Sequence, residues 1–238
     1  MEATYCRTSR STIFISSHRP PGRQRYNCAH ELAHHLSGTG FHVYELQESP
    51  PRGKVYDRNE FFSDIFAGFL LMPKTTVVNG FVRRGWHAGG CTPLQVHTIA
   101  SWLGVGYSTL VNHMHVSLGL ISDSHANELQ KHSPKKLRLD LLGKDPNVHL
   151  NIVDFHWTGR PIDIQAGDLI LAPPGAQYQG NGISAIQNDG CGTLLQGEYP
   201  GIFRLISPHS QWSSYVRVSR RGYIGLCKYR HLEESEDE

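Results

Sequence analysis

The sequence predicts an α+β protein in which a helical N-terminal part precedes a smaller, mainly β C-terminal part. Residues 59–72, NEFFSDIFAGFLLM, place apolar residues at helical spacing and end at Pro73. Residues 147–231 instead alternate apolar with polar residues and are broken about every 8 to 12 residues by Gly, Pro or Asn, which indicates a small antiparallel sheet domain. Between the two parts, the polar stretch 123–140 predicts a linker.

These patterns divide the chain into parts of different character. We expect a domain over residues 1–122 that ends in a helix-turn-helix-like unit at 93–119, and a β-rich regulatory domain over 141–232. The last six residues, 233–238 (EESEDE), are expected to be a disordered acidic tail because they hold five acidic groups and no apolar side chain.

Within the helical part, the sequence predicts one short strand and several helices. The strand is STIFISS (11–17), and a turn-rich stretch follows it. The predicted helices are, in chain order, 25–37, 59–72, 74–84, 93–103 and 108–118. Asp57 or Asn59 would cap the second of them, and residues 41–58, which contain SPPRGK, are expected to be a loop.

Composition excludes several classes of protein. The 238 residues are 39% hydrophobic and 18% charged, as in soluble globular proteins. No apolar run approaches the roughly 18 to 20 residues of a membrane helix, and no signal peptide is recognisable, so we expect a cytoplasmic protein without a membrane partner. Five scattered cysteines without a CxxC pair argue against a disulfide framework and against a cysteine-rich zinc module.

The segment CAHELAHHLSGT (28–39) carries the pattern HExxH. On a helix, His30 and His34 project from one face, one turn apart, so that both imidazoles can reach one Zn²⁺ ion. Glu31 would then lie beside the metal, where it can act as a general base on water. His35 is rotated away from this face. Because the chain holds 15 histidines, the pattern by itself does not separate a metal site from a surface helix.

A second helix supplies what this site lacks. A catalytic zinc needs a third protein ligand, and NEFFSD (59–64) places Glu60 and Asp64 on one face. Glu60 can point at the metal, while Asp64 can reach the second nitrogen of a ligating histidine and fix its tautomer. Two helices that each present the required pair favour a zinc site over two solvated faces.

Three segments together resemble the ImmA/IrrE family of metallopeptidases. They are RQRYNCAHELAHHL (23–36), NEFFSDIFAGFLLMP (59–73) and IASWLGVGYSTLVNHMHVSLGLI (99–121). HExxH followed by NEFFSD is also similar to the gluzincin pattern of thermolysin-like peptidases. The resemblance covers about residues 11–122, with Ala33 where the family usually has glycine and a shorter lead before the first strand.

The resemblance implies a zinc endopeptidase with His30, His34 and Glu60 as ligands, Glu31 as general base and Asp64 behind a ligand. It also implies a substrate, a helix-turn-helix transcriptional repressor of a stress or mobile-element circuit. The strand near 12–16 could bind such a substrate in an extended form. The oxyanion-stabilising group stays open among four candidates, Tyr26, Tyr44, His87 and His97, each of which also has a structural interpretation.

Three further features each allow two interpretations. Cys91 in HAGGCTP is a candidate inhibitory fourth zinc ligand or a free cysteine. The unit 93–119 could bind DNA, but its second helix has no Lys or Arg, which favours a packing role. A basic set is interleaved with tyrosines and could contact single-stranded nucleic acid, an expected activator, or form the solvated face of a sheet. Its members are Arg217, Arg220, Arg221, Tyr223, Lys228 and Arg230.

The net charge of the chain is +2, but the acidic tail hides a basic remainder of 23 basic and 16 acidic residues. This bias is compatible with a nucleic-acid partner and does not require one. Beside the peptidase, the sequence therefore leaves two other functions open. One is a DNA-binding regulatory protein with a vestigial metallopeptidase site, and the other is a metal-stabilised interaction module.

Overall fold

A computed structural model describes residues 2–7, 10–39, 57–189, 192–208 and 210–232. The N-terminal part contains, in order, β1 (Ala3–Cys6), β2 (Thr12–Ile15), α1 (Pro21–Ser37), α2 (Arg58–Leu71), α3 (Lys74–Val82), α4 (Pro93–Leu103), α5 (Tyr107–Asn112), α6 (Asp123–Gln130) and α7 (Pro134–Leu142). The C-terminal part contains β3 (Leu150–Ile152), β4 (Ile162–Gln165), β5 (Leu169–Ala172), β6 (Gln177–Gln179), β7 (Ile183–Asp189), β8 (Gly192–Gly197), β9 (Gly201–Ile206) and β10 (Ser213–Ser219). This is the α+β class that the sequence predicts.

Strand β1, which the sequence did not predict, pairs antiparallel with the predicted strand β2, with Ala3 opposite Ile15 and Cys6 opposite Thr12. The buried carboxylate of Glu2 holds this pair against α1, because it accepts hydrogen bonds from the side chains of Arg23 (2.8 Å) and Asn27 (3.2 Å). Burial by itself would raise the pKa of Glu2, but these bonds and the nearby arginines lower it.

Helix α1 begins with Pro21, whose missing N–H is not needed in a first turn, and it ends at Gly38 in the left-handed conformation (φ 72°). Its buried residues include Ala29, His30 and Ala33, so the histidine lies on a helix face whose neighbouring side chains are small. Ala33 is completely buried, which shows that the methyl group in place of the usual glycine is accommodated here.

A capping aspartate and a glycine set the start and the packing of α2. Its cap is Asp57, which accepts a hydrogen bond from the backbone N–H of Asn59 (2.9 Å), as one of the two predicted alternatives. Further along, a Cβ on Gly68 would lie 2.8 Å from the ring of His113, so only glycine permits this approach. His113 in turn donates its Nε2–H to the carbonyl of Met72 (3.0 Å). The following α5 region thus fixes the helix that carries Glu60.

The linker predicted at 123–140 is wrong, because this stretch forms helices α6 and α7. Their apolar residues Ala126, Leu129 and Leu137 belong to the same hydrophobic core as α3, α4 and α5. The polar residues that suggested a linker are the exposed faces of two short helices, each capped by a serine side chain. The helical part therefore extends to Leu142, and residues 233–238 and most of the loop 41–58 lie outside the described residues.

The helix-turn-helix-like unit is the pair α4 and α5, and a π-turn over His113–Ser117 closes it. The second helix faces inward, since Tyr107, Leu110 and Val111 are buried in the helical core. This arrangement agrees with the packing role that the absence of basic residues favours.

The C-terminal part consists of two four-stranded sheets with strand orders β4-β10-β9-β6 and β3-β5-β8-β7. Each sheet contains one parallel pair, β4 with β10 and β3 with β5, whereas the sequence predicted antiparallel pairing throughout. Alternation of side chains does not distinguish parallel from antiparallel neighbours, which explains the error. Residues of both sheets share one core, which includes Ile164, Ile170, Leu195, Leu205 and Val216.

Polar contacts connect the helical and strand-rich parts. Arg84 of the helical part makes two hydrogen bonds to Asp154 (2.6 and 2.9 Å), and its guanidinium is almost completely buried. His97 of α4 faces the carbonyl of Leu150 at 3.0 Å, and Arg160 donates to the carbonyl of Trp102 at 2.6 Å.

By length and composition alone, the segment Arg58–Val82 is apolar enough to cross a membrane, contrary to the prediction that no apolar run approaches this length. A core helix of a soluble protein passes the same test. Here the segment is divided at Pro73 into α2 and α3, and α3 contributes Val77 and Phe81 to the helical core.

Candidate metal centre

Helices α1 and α2 bring His30, His34 and Glu60 together. One ligand atom from each lies within 4.8 Å of the other two. Both histidines are at most 1% exposed, and the side chain of Glu60 is 25% exposed, so the cluster is reachable from one side. Among the described residues, this is the group of histidine, cysteine and acidic side chains that could hold a metal ion.

The distances within this cluster suit a tetrahedral ion. The two Nε2 atoms of His30 and His34 are 3.2 Å apart, and the carboxylate oxygens of Glu60 lie 3.2 Å from the first and 3.3 Å from the second. Ligands at about 2.0 to 2.1 Å from a tetrahedral zinc ion are separated by roughly 3.3 Å. Two nitrogens and one carboxylate are also the donor set of known catalytic zinc sites.

Hydrogen bonds behind the histidines orient their rings. Nδ1 of His30 lies 3.0 Å from Oδ1 of Asp64, which fixes the proton on Nδ1 and turns the lone pair of Nε2 toward the cluster. The hydroxyl of Tyr26 donates to the same Asp64 oxygen (3.2 Å). Nδ1 of His34 lies 3.2 Å from the hydroxyl of Thr39.

The sequence did not predict the part that Thr39 plays behind His34. Its position did indicate this role, because Thr39 directly follows the glycine that ends α1, where the chain turns back over the last helical turn.

The charges of the site favour a cation. Burial alone would lower the pKa of His30, but the hydrogen bonds and charges of Asp64 and Glu60 raise it to about 9. Burial alone would raise the pKa of Glu60, but the two histidines lower it to about 2. Two carboxylates thus stabilise positive charge at the point where the Nε2 atoms meet.

Glu31 lies beside the cluster and is 1% exposed. Its Oε1 has no hydrogen-bond partner, although a backbone hydrogen bond links the carboxylate to Tyr5 of β1. Burial raises the pKa of Glu31, against the lowering effect of the two nearby histidines. A buried carboxylate with a raised pKa and an unused oxygen is suited to accept and return a proton.

Several other predicted site residues lie elsewhere. The structure does not bring Cys91 to this cluster: its thiol is buried in the helical core, 3.9 Å from Nε2 of His125, and burial raises its pKa to about 11. His35 is exposed, and its Nδ1 lies 2.7 Å from the hydroxyl of Tyr5.

The oxyanion candidates have other partners in this structure. Tyr26 donates to Asp64, and His97 faces the strand-rich part through Leu150. The ring of His87 lies over its own turn, where a Cβ on Gly89 would be 3.0 Å from it, and Tyr44 lies outside the described residues. None of the three described side chains is shown at an oxyanion position.

The basic set of the C-terminal part is largely engaged in ion pairs. Arg217 and Arg230 both face Asp163, and Arg221 pairs with Asp168 at 3.0 Å. Lys228 lies over the ring of Tyr229 (4.5 Å), and Tyr223 donates to the carbonyl of Leu226. Arg220 also has an interaction partner. These pairings favour the structural interpretation of the set over a row of nucleic-acid contacts.

Comparison with known proteins identifies the part of the chain that holds the cluster. A search of curated proteins and a search of solved structures found no match. Residues 2–114, just under half of the chain, match the peptidase family M78, described as the IrrE N-terminal-like domain. The matched region contains β1, β2, α1 and α2, and with them all residues of the cluster. Residues 2–114 are therefore similar to the IrrE N-terminal-like domain of this metallopeptidase-like family.

Proposed function

We propose that the protein is a zinc-dependent endopeptidase that cleaves a helix-turn-helix transcriptional repressor in a stress or mobile-element circuit. The observation that carries this proposal is the convergence of two imidazole Nε2 atoms and one carboxylate at 3.2 to 3.3 Å, next to a buried carboxylate with an unpartnered oxygen. The repressor is proposed from the resemblance to ImmA/IrrE peptidases.

His30, His34 and Glu60 would hold the zinc ion, and Asp64 would keep His30 in the tautomer that leaves Nε2 available. When bound, zinc supplies a Lewis acid and lowers the pKa of water toward about 7. A merely structural zinc would be closed by a fourth protein ligand and would have no use for the adjacent Glu31.

Glu31 performs the proton transfers. Its carboxylate accepts a proton from the attacking water, and its buried position then lets it return the proton to the leaving amine. The backbone contact with Tyr5 fixes the carboxylate relative to β1. Its Oε1, which has no hydrogen-bond partner, can accept the proton while the contact with Tyr5 stays in place.

The substrate would bind as an extended strand. Among the described residues, β2 pairs with β1 alone, so its other edge is available for backbone pairing with a peptide. β1, the partner strand of β2, is also the strand whose backbone contacts Glu31, so the sheet that would receive the peptide is anchored beside the base.

The remaining roles follow from this activity. We propose that the enzyme works in the cytoplasm and that the strand-rich part senses the activating signal. A DNA-binding regulator with a vestigial site is the less favoured function, because residues 93–119 contain no Lys or Arg and the second helix faces the core.

The test uses purified protein loaded with zinc, together with the helix-turn-helix repressor encoded beside its gene. Wild type is expected to bind one zinc ion per chain and to cut the repressor. Glu31→Gln should keep the zinc and lower the cleavage rate by about 100-fold or more. Glu128→Gln, which changes an exposed side chain of α6, is the matched control and should cleave like wild type.

Separate outcomes contradict separate parts of the proposal. Equal cleavage by wild type and Glu31→Gln would rule out Glu31 as the base. Failure to bind zinc would rule out the metal site. Zinc binding without cleavage of the repressor under inducing conditions would rule out the substrate.

A further inference from the structure

A polar cavity of about 230 Å³ lies where helices α1 and α4 meet the strand-rich part. Its charged lining comes from both parts of the molecule: Arg25 from α1, and Arg160, Asp163 and Arg217 from around β4 and β10. Trp102 of α4 forms part of the wall.

Asp163 is the acidic residue of this cavity, and its side chain is 7% exposed. Arg217 donates to both of its oxygens (2.6 and 2.8 Å), and Arg25 donates to Oδ2. A third guanidinium, that of Arg230, lies 3.7 Å from the same oxygen. Three positive charges therefore share one negative charge.

Arg160 adds a fourth positive charge. It donates to the carbonyl of Trp102 (2.6 Å) and lies over the ring of that residue (5.6 Å), and it forms no ion pair with a carboxylate of the described residues. Partial burial and the nearby guanidinium of Arg25 lower its pKa, and the charge of Asp163 offsets only part of this effect. The four arginines share the single charge of Asp163 and otherwise repel one another in a partly desolvated space, which costs free energy unless a second anion joins them.

The neighbouring cavity of about 350 Å³ has no such excess of positive charge. It too is lined by three arginines from both parts of the molecule. Each of these has a carboxylate of its own: Arg23 pairs with Glu2, Arg138 with Asp145 and Arg221 with Asp168. Its arginines are therefore balanced, whereas the three arginines that line the smaller cavity, together with Arg230 beside it, have one carboxylate, that of Asp163.

We propose that the 230 Å³ cavity is a binding site for the phosphate group of a small phosphorylated molecule. Guanidinium groups present paired N–H donors that match the oxygens of a phosphate. A dianionic phosphate would bring the net charge of the four arginines and Asp163 from +3 to about +1. The volume is below the about 300 Å³ at which pockets for drug-sized ligands begin, so the rest of the molecule must be small.

The position of the site links the two parts of the protein. Arg25 lies on α1, the helix that carries His30 and His34, while Arg160 and Arg217 belong to the strand-rich part. A phosphate held by all three would bridge them.

The test is calorimetric titration of the full chain with inorganic phosphate, with glycerol phosphate and with glycerol. Both phosphates should bind in a saturable manner, more weakly at higher salt, and glycerol should not bind. Because no turnover is measured, the result does not depend on the proposed peptidase activity.

Variants locate the binding. Arg160→Gln should weaken phosphate binding about tenfold or more, and because no carboxylate depends on Arg160, this variant should still unfold in one cooperative transition. Arg217→Gln should behave likewise, since Asp163 keeps Arg25 and Arg230 as partners. Arg221→Gln, from the balanced cavity, is the matched control and should bind phosphate like wild type.

Four results would overturn the proposal. They are absence of saturable binding of either phosphate, unchanged binding by Arg160→Gln, binding of a single-stranded oligonucleotide but not of glycerol phosphate, and binding by a chain ending at Leu232 but not by the full chain. In the last case the acidic residues 233–238 would be the natural occupant of the site.

Discussion

Two carboxylates, Glu31 in the helical part and Asp168 in the strand-rich part, are buried to the same extent, and each is 1% exposed. Both have a pKa raised by burial. Asp168 nevertheless uses both oxygens: Oδ1 accepts from the backbone N–H of His149 (3.3 Å) and from Arg221 (3.0 Å), and Oδ2 accepts from the N–H of Gln165 (2.9 Å). Glu31 leaves Oε1 without a partner.

This difference separates a structural carboxylate from one suited to chemistry. Asp168 joins the start of β3 to the end of β4, so its hydrogen bonds stabilise the contact between two sheets. A buried polar atom without a partner costs about 1–3 kcal/mol of stability. The fold bears this cost at Glu31, directly beside the proposed zinc ligands, where a free acceptor can take a proton.

The largest expected effect is the change in the free energy of unfolding when zinc is added, because only the helical part should bind the ion. Zinc at about 1,000 times its dissociation constant should raise the free energy of unfolding by about 4 kcal/mol, because it binds the folded chain. The measurement is urea denaturation with zinc and with a chelator. His34→Ala should abolish the increase, and a variant at Asp168 should retain it. An equal increase in His34→Ala would place the zinc elsewhere.

Neutralising Asp168 and Glu31 one at a time sharpens the same comparison. In the zinc-free protein, Asp168→Asn should lower the free energy of unfolding by about 2–3 kcal/mol, because at least one buried N–H loses its acceptor. Glu31→Gln should leave it unchanged or raise it, since a neutral amide is easier to bury than a carboxylate with an unpartnered oxygen. Denaturant midpoints of the two variants check this, and a larger loss for Glu31→Gln would reverse the assignment of roles.

Buried histidines extend the comparison to pH. Burial lowers the pKa of His97 from 6.5 to about 4, so between these values the unfolded chain binds more protons than the folded one. The free energy of unfolding should therefore fall as the pH is lowered from about 6.5 to about 4. His97→Gln should reduce this slope by up to about 1.4 kcal/mol per pH unit in denaturation series.

Part of the slope should survive in this variant. His149 also has its pKa lowered by burial to about 4 and remains in place. An unchanged slope in His97→Gln would show that His97 does not titrate differently in the folded and unfolded chains.

The smallest expected effect concerns the hydroxyl of Tyr26, which donates to the carboxylate that orients His30. Tyr26→Phe should lower zinc affinity by about tenfold or less, since the hydroxyl acts on the ligand through Asp64. Competition with a chromophoric chelator measures this change. Asp64→Asn should have the larger effect, and the opposite order would contradict the chain of contacts from Tyr26 to His30.

How far the sequence could predict this molecule depends on the range of the interactions. His30, His34 and Glu60 were predictable because helical periodicity fixes which side chains share a face. Strand β1 was not predicted, because four residues hold too little pattern before their pairing with β2 is known. The helices over 123–142 were mistaken for a linker because burying Ala126, Leu129 and Leu137 requires a partner that lies elsewhere in the chain.

By itself the sequence determined the α+β class, the pair of helices that carry the donor set and the family resemblance, since these depend on local periodicity and residue type. The tertiary structure decided which charges have partners. It placed Cys91 in the core rather than at the metal centre, balanced Arg221 with Asp168, and gathered four arginines around Asp163. Charge pairing is set by distances between residues far apart in the chain, and no local pattern encodes those distances.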